Sequence, residues 1–168
     1  MSIKIYTDGS AAPNPGKGGY AATAIKDDII IWWCSDYEND TTNNRMELKA
    51  LIAALEYARD NNLFAIPIYC DSSYAVRIYN EWAHNWAQNN WVRKGNRAIE
   101  NLDLVKRIYG LSFSSSCEVI HIRGHNGEVG NEICDALATK NAQKLEKILV
   151  SEEILNKEAI LSYLFEKL

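Results

Sequence analysis

The 168-residue chain has no apolar run that approaches the roughly 18 to 20 residues of a membrane-spanning helix. It opens on a strand-like alternation over residues 2–6, so we expect neither a signal peptide nor a transit peptide. The four cysteines lie far apart and form no CxxC pair, which predicts reduced thiols. We therefore expect a cytoplasmic protein with no membrane partner.

Basic residues are fewer than acidic residues. Eighteen Lys and Arg residues stand against 22 Asp and Glu residues, and the formal net charge is −4. Proteins that bind nucleic acid usually carry net positive charge, so this balance alone argues against such a partner. Internal repeats and low-complexity linkers are absent, and the length with 47% hydrophobic residues suits one compact domain.

The hydrophobic pattern predicts a mixed sheet with helices packed on it. The predicted strands cover residues 2–7, 20–25, 29–33, 66–70 and 118–122. The predicted helices cover residues 44–59, 72–80, 101–109 and 131–145. The first three strands should form an antiparallel meander with a hairpin at residues 26–28. A flexible Gly/Pro loop is expected at residues 14–19, and residues 81–101 are tryptophan-rich and less regular.

A separate segment follows the core domain of residues 1–145. Over residues 146–168 we predict a C-terminal helical extension, with Ser151 as the N-cap of its helix. The apolar side chains that share one face of that helix are Ile154, Leu161, Leu164, Phe165 and Leu168. This face either packs on its own domain or contacts a partner, and a monomer is the simpler expectation.

Four carboxylates are predicted near the ends of elements. Asp8 ends the first strand, Glu47 lies in the first turn of a helix, Asp71 ends the apolar strand, and Asp135 comes early in the last core helix. Each has a structural explanation by itself: a turn with Gly9, a capping box, an N-cap, and a solvated helix face.

Taken together, these carboxylates favour a metal site. Ligand sites in α/β sheets gather beyond the carboxyl ends of strands, where Asp8 and Asp71 are both expected. Carboxylates placed close together repel one another and need a countercharge. Ligation by oxygen alone favours Mg²⁺ or Mn²⁺ over zinc. A pair of such ions about 4 Å apart is a known device for phosphodiester hydrolysis.

The sequence gives less support to a zinc site and to a serine hydrolase. Cys117, His121, His125 and Cys134 offer zinc ligands in one stretch. His121 is predicted in the final strand and His125 in the loop beyond it, so the spacing alone predicts no tetrahedral site. The chain has no G-x-S-x-G motif, which argues against a serine hydrolase. His125 lies in a Gly-rich loop before Asp135, and a histidine with a pKa near 6.5 can shuttle protons at neutral pH.

Several short motifs along the chain resemble those of a known family. They are YTDGS at residues 6–10, NPG at 14–16, GG at 18–19, TTNNRMEL at 41–48, CDS at 70–72, WAHNW at 82–86, NLDL at 101–104, GH at 124–125 and NEICD at 131–135. Over residues 2–143 the chain closely resembles the bacterial type 1 ribonuclease H family. The resemblance implies a ribonuclease H-like α/β fold with a five-stranded mixed sheet, three antiparallel strands then two parallel, flanked by helices. The extra C-terminal helix inherits no role from it.

The resemblance also implies an activity and its residues. The activity is endonucleolytic hydrolysis of the RNA strand of RNA/DNA hybrids by a two-metal-ion mechanism, which leaves 5′-phosphate and 3′-hydroxyl ends. The catalytic domain would be residues 1–145. Asp8, Glu47, Asp71 and Asp135 match the family's metal-binding quartet, and His125 matches its loop histidine. Two Mg²⁺ ions per site are implied when substrate is bound, with Mn²⁺ as a substitute.

Contacts to the hybrid follow by the same resemblance. The implied substrate-binding residues are Asn14, Asn43 and Asn44 in the minor groove, Thr42 and Asn101 at a DNA phosphate, Tyr74 and Trp82 in the DNA-strand channel, and Arg93 and Lys94 in the basic protrusion. Asp40 stands where relatives commonly have arginine, and Ser73 replaces a longer side chain. Both departures predict a weaker grip on the substrate.

Two alternatives remain open. A related polynucleotidyl transferase or resolvase-type nuclease would share the fold, as would a non-catalytic hybrid-binding module. The binding module predicts loss of at least one carboxylate, whereas all four are present. Two bound divalent cations would offset the net charge of −4, so that charge no longer argues against a nucleic-acid substrate.

Overall fold

The computed structural model of the chain describes residues 2–124 and 127–139. Its strands are β1 (Ile3–Ala11), β2 (Gly16–Lys26), β3 (Ile29–Thr41), β4 (Pro67–Cys70) and β5 (Glu118–His121). Its α-helices are α1 (Asn43–Asp60), α2 (Ser73–Arg77), α3 (Ala83–Gln88), α4 (Leu102–Leu111) and α5 (Val129–Ala138). A π-helical turn over Ile78–Trp82 joins α2 to α3.

The five strands form one mixed sheet in the order β3-β2-β1-β4-β5. β1, β2 and β3 pair antiparallel, whereas β4 pairs parallel with both β1 and β5. The β2–β3 hairpin turns at Asp27 and Asp28, which have φ angles of 51° and 66°. Aspartate tolerates this left-handed conformation better than most residues. The predicted fold class and its meander are therefore confirmed.

Helices cover both faces of the sheet and create two cores. On one face, Leu48, Leu51 and Leu55 of α1 pack with Ile5 of β1 in a cluster that also includes buried residues of α4. On the other face, Ile133 and Leu137 of α5 pack against Tyr6. Successive strand residues point to opposite faces, so neighbouring residues of β1 serve different cores. The central strand is thus fixed from both sides.

Several sequence predictions differ from the structure, and β3 runs to Thr41 instead of ending at residue 33. Residues 16–19 belong to β2, where they pair with β1 and β3, rather than to a loop. A Cβ atom at Gly18 or Gly19 would meet a backbone oxygen at 2.6 Å. The glycines there serve close packing. Residues 81–88 are helical although their composition looked irregular, and β5 ends at His121. His125 and the predicted C-terminal helix lie outside the described residues.

Among residues 2–124 and 127–139, no helix is both long enough and apolar enough to cross a bilayer.

The contact between α5 and β1 gives a prediction about stability. A Cβ atom at Gly130 would lie 2.1 Å from the Tyr6 ring, whereas one at Gly110 of α4 would meet nothing within 4 Å. Gly130→Ala should therefore lower the free energy of unfolding by about 1–3 kcal/mol through overpacking. Gly110→Ala should raise it by up to about 1 kcal/mol, as alanine does in an open helical position. Urea denaturation measures both, and equal effects would contradict the packing described.

Candidate active site

The strand register places Asp8 and Asp71 side by side. Parallel pairing between β1 and β4 ends where Thr7 faces Cys70, and the two aspartates directly follow these residues in the chain. The prediction that Asp8 ends the first strand is wrong, because β1 continues along β2 as far as Ala11. Asp71 does follow the last residue of β4, as expected.

Glu47 reaches the same edge through a close approach of α1 to β1. A Cβ atom at Gly9 would lie 2.3 Å from the Met46 carbonyl carbon, so only glycine permits this contact. The side chain of Thr42 caps α1 by accepting a hydrogen bond from the Arg45 backbone N–H at 3.2 Å. Glu47 is therefore in the second helical turn, not the first, and it does not cap the helix.

Carboxylate oxygens of Asp8, Glu47 and Asp71 all lie within 4.8 Å of one another. The charge of Asp135 also acts on Asp8 from α5, where Asp135 lies in the second half of the helix rather than early. Ser72, not Asp71, caps α2. The fold thus brings together three of the four carboxylates that the sequence singled out, and the fourth, Asp135, acts on Asp8 through its charge.

Burial and mutual repulsion dominate the electrostatics of this cluster. Asp8 is 6% exposed. Burial first, and then the charges of Asp71 and Asp135, raise the pKa of Asp8 to about 8. Burial and the charges of Asp8 and Asp71 also raise the pKa of Glu47 well above its usual range. The Gly9 backbone N–H donates to Asp8 Oδ1 at 2.8 Å and favours the ionised form, but it does not offset the other causes.

These side chains fit a divalent cation. All of the donors are carboxylate oxygens, the ligands that Mg²⁺ and Mn²⁺ prefer. Glu47 Oε2 is buried and has no hydrogen-bond partner among the described residues. A cation would supply both the partner for this oxygen and the countercharge for the cluster.

The zinc alternative is not supported by the described residues. Cys117 belongs to the core on the α1 face of the sheet, whereas Cys134 belongs to the core on the α5 face. A shared tetrahedral site is therefore impossible for these two thiols. His121 Nε2 lies 3.2 Å from the backbone oxygen of Asp71.

Comparison with known proteins gives the family. The ribonuclease H family model, RNase H, matches residues 1–143. This chain belongs to the ribonuclease H family. It is 39% identical over 147 residues to the ribonuclease H of Caldanaerobacter subterraneus subsp. tengcongensis, a match covering 84% of this chain and 92% of that protein. Family membership makes the chain a nuclease.

Two solved ribonucleases H share the fold. LC9-RNase H1, described as a type 1 RNase H with the type 2 active-site motif, has 29% identity and a TM-score of 0.71, over 84% of this chain and 72% of that one. LC11-RNase H1, solved in complex with an RNA/DNA hybrid, has 25% identity and a TM-score of 0.63, over 85% of this chain and 98% of that one.

In this member of the family, a polar network joins several predicted substrate-binding residues. Arg45 Nη1 donates to Asn101 Oδ1 at 3.3 Å, and Asn101 Nδ2 donates to the Tyr74 hydroxyl at 3.1 Å. Thr42 joins the network through its cap on the Arg45 backbone. Asp103 accepts two hydrogen bonds from the Arg45 guanidinium, at 3.1 and 3.0 Å. The structure therefore links Thr42 and Asn101 directly to Arg45, and Tyr74 to Arg45 through Asn101.

Sequence reasoning gave Arg45 and Asp103 no role. Arg45 lies inside the TTNNRMEL motif and Asp103 inside the NLDL motif, and these were the available signals. The two residues are 58 positions apart, and no sequence pattern pairs opposite charges over that distance.

The three asparagines predicted in the minor groove lie near the start of α1. Asn14 Oδ1 accepts from the Asn43 backbone N–H at 3.1 Å, and Asn43 Oδ1 accepts from the Ala11 backbone N–H. Asn44 is exposed. These bonds tie the β1–β2 connection to the helix that carries Glu47.

The tryptophan-rich segment divides into two parts. Trp82 is edge-on to Tyr74, with ring centroids 6.2 Å apart, and the Arg77 guanidinium lies 5.8 Å from its ring centroid. Arg93 and Lys94 are exposed in the loop between α3 and α4. Trp82 therefore contacts the polar network through Tyr74, whereas Arg93 and Lys94 lie on the separate loop between α3 and α4.

The two departures from the family are both on the surface. Asp40 is exposed near the end of β3, and Ser73 is the exposed first residue of α2.

The raised pKa of Asp8 predicts a pH-dependent stability in EDTA. The folded chain keeps a proton between the ordinary pKa of 3.8 and about 8, where the unfolded chain releases it. The resulting stabilisation is complete below the ordinary pKa and is lost as the pH rises through about 8. From pH 5.5 to 8.5, the free energy of unfolding of Asp8→Asn should therefore rise by at least about 1.4 kcal/mol relative to that of the unsubstituted chain. This amount is the equivalent of one pKa unit.

Guanidinium denaturation at the two pH values measures this difference. Asp60→Asn, at an exposed position near the end of α1, is the matched control and should follow the unsubstituted chain. Parallel pH profiles for Asp8→Asn and the unsubstituted chain would contradict the raised pKa.

Proposed function

We propose that this chain hydrolyses the RNA strand of RNA/DNA hybrid duplexes and leaves 5′-phosphate and 3′-hydroxyl ends. The observation that carries the proposal is the carboxylate cluster, in which oxygens of Asp8, Glu47 and Asp71 lie within 4.8 Å of one another. Membership of the ribonuclease H family supports the reaction class. The RNA/DNA hybrid bound by the relative LC11-RNase H1 supports the substrate class.

The proposed cofactor is a pair of divalent cations, Mg²⁺ with Mn²⁺ as a substitute. Asp8, Glu47, Asp71 and Asp135 are the side chains proposed to hold it. When bound, the cations supply an activated water nucleophile and neutralise the charge on the leaving oxygen. The chain contributes a fixed arrangement of oxygens, whose protons leave as the countercharge arrives. We propose that His125 then moves a proton between the site and solvent.

Recognition of the hybrid is proposed to depend on the residues around α1 and α4. Thr42 and Asn101 would bind the DNA-strand phosphate, and Tyr74 and Trp82 would line the DNA-strand channel beside them. Asn14, Asn43 and Asn44 would contact the minor groove. Such a site tells a hybrid from either pure duplex by requiring a 2′-hydroxyl on one strand and accepting its absence on the other.

The remaining parts of the proposal concern organisation. We propose that residues 1–145 are the catalytic domain and that residues 146–168 are a helical extension. The chain is proposed to act as a monomer in the cytoplasm.

Cleavage of strand-labelled substrates tests the function. With Mg²⁺, the unsubstituted chain should cut the RNA strand of a hybrid and leave the DNA strand, double-stranded RNA and double-stranded DNA intact. Asp8→Asn should lower the rate by more than about a hundredfold, because losing a ligand costs more than losing a residue that supports one. Asp60→Asn, an exposed carboxylate in an ion pair with Arg59, should cut at the unsubstituted rate.

Two outcomes would contradict the proposal. Cleavage of double-stranded DNA would indicate a resolvase-type nuclease instead. Binding of the hybrid without cleavage by the unsubstituted chain, at any Mg²⁺ or Mn²⁺ concentration, would indicate a non-catalytic binding module.

Substrate affinity should fall steeply with salt, because phosphate contacts release counterions. Arg93→Ala and Lys94→Ala should each raise KM and reduce the slope of log KM against log salt by about one. Lys4→Ala is the control, since Lys4 is exposed at the start of β1 and has no proposed contact with substrate. Cleavage assays from low to moderate KCl measure the slopes, and identical slopes for all four proteins would remove Arg93 and Lys94 from the substrate surface.

A further inference from the structure

We propose that two buried thiols, Cys70 and Cys134, are positioning residues that hold Asp71 and Asp135 against the strand that carries Asp8. The inference rests on the proposed function, because it takes these aspartates to bind divalent cations. Each thiol immediately precedes one of the two aspartates in the chain. Each also contacts β1 within two residues of Asp8.

Cys70 ties β4 to β1. Its Sγ lies 2.9 Å from Thr7 Oγ1, and both side chains are 0% exposed. Thr7 and Cys70 face each other at the last register position of the parallel pair. Asp8 and Asp71 are the next residues, so this side-chain contact is the last link between the two strands before the two carboxylates.

Cys134 ties α5 to the same strand from the opposite face of the sheet. Its Sγ donates to the Tyr6 backbone oxygen at 3.3 Å and lies 3.5 Å from Thr23 Oγ1. The Cys134 side chain is also 0% exposed. Asp135 is the next residue in the chain, and its charge acts on Asp8. The contact therefore fixes the depth of α5 at the residue next to the carboxylate.

The thiol contacts oppose the electrostatic repulsion among the carboxylates. Carboxylate oxygens of Asp8 and Asp71 lie within 4.8 Å of each other, and the charge of Asp135 also acts on Asp8. Their repulsion favours separation of β4 and α5 from β1. A restraint beside each carboxylate opposes this separation most directly. Metal ligands need such support, because a site that is about 1 Å too loose loses much of its affinity.

A purely structural role makes a different prediction. If the thiols only filled the core, their loss would lower stability and leave metal affinity unchanged. Cys117 supplies the matched control, because it is a buried thiol, 7% exposed, just before β5. The parallel strands begin there, and the carboxylates lie at their other end.

Calorimetric titration of the full chain with Mn²⁺, without nucleic acid, is the test. Cys70→Ala and Cys134→Ala should each raise the dissociation constant of the first Mn²⁺ about tenfold. This is the lower end of the effect of residues that support a metal ligand. Cys70→Ser, which keeps a hydrogen-bonding group towards Thr7, should restore most of the affinity. Cys117→Ala should bind as the unsubstituted chain does. Unchanged affinity in folded Cys70→Ala and Cys134→Ala would overturn the inference.

A second pair of variants guards against misfolding. Thr7→Val removes the hydroxyl and keeps the β-branched shape, whereas Thr7→Ser keeps the hydroxyl. Weaker Mn²⁺ binding by Thr7→Val than by Thr7→Ser supports the inference, and equal binding contradicts it. An unsubstituted chain that binds Mn²⁺ but leaves the hybrid intact contradicts the proposed function alone. One that binds no Mn²⁺ contradicts both.

Discussion

Carboxylates held close together in a buried site impose the main constraint on this structure. Burial and the charges of Asp71 and Asp135 raise the pKa of Asp8 to about 8, and similar causes act on Glu47. Ionising this cluster without a countercharge is unfavourable, so the fold has to hold its ligands in place against their own repulsion. The rest of the architecture is best understood as the support for that arrangement.

The support comes from both faces of the sheet. Gly9 lets α1 approach β1 closely enough for Glu47 to join the cluster. Gly130 likewise lets α5, the helix that carries Asp135, pack closely against the Tyr6 ring of β1. Because neighbouring residues of β1 face different cores, the strand that carries Asp8 cannot shift without disturbing both. The contacts of Cys70 and Cys134 add local restraints beside the carboxylates.

The substrate surface shows how a chain with a net charge of −4 can suit a nucleic-acid substrate. What matters at such a surface is the local field, and cations in the carboxylate cluster would reverse its sign there. The Arg45 guanidinium among the predicted phosphate-binding residues already has a partner in Asp103. Asp40 adds negative charge near the end of β3. Both features are in keeping with weak binding that depends on metal and on low salt.

The sequence by itself determined the order of strands and helices, the family and the four carboxylates, because hydrophobic period and spaced motifs are local properties. Only the tertiary structure decided that β1 runs on past Asp8 and that Gly18 and Gly19 serve close packing in a strand. Those outcomes depend on what lies across the sheet. The pairing of Arg45 with Asp103 likewise joins residues 58 positions apart, and a contact of that kind exists only once the chain has folded.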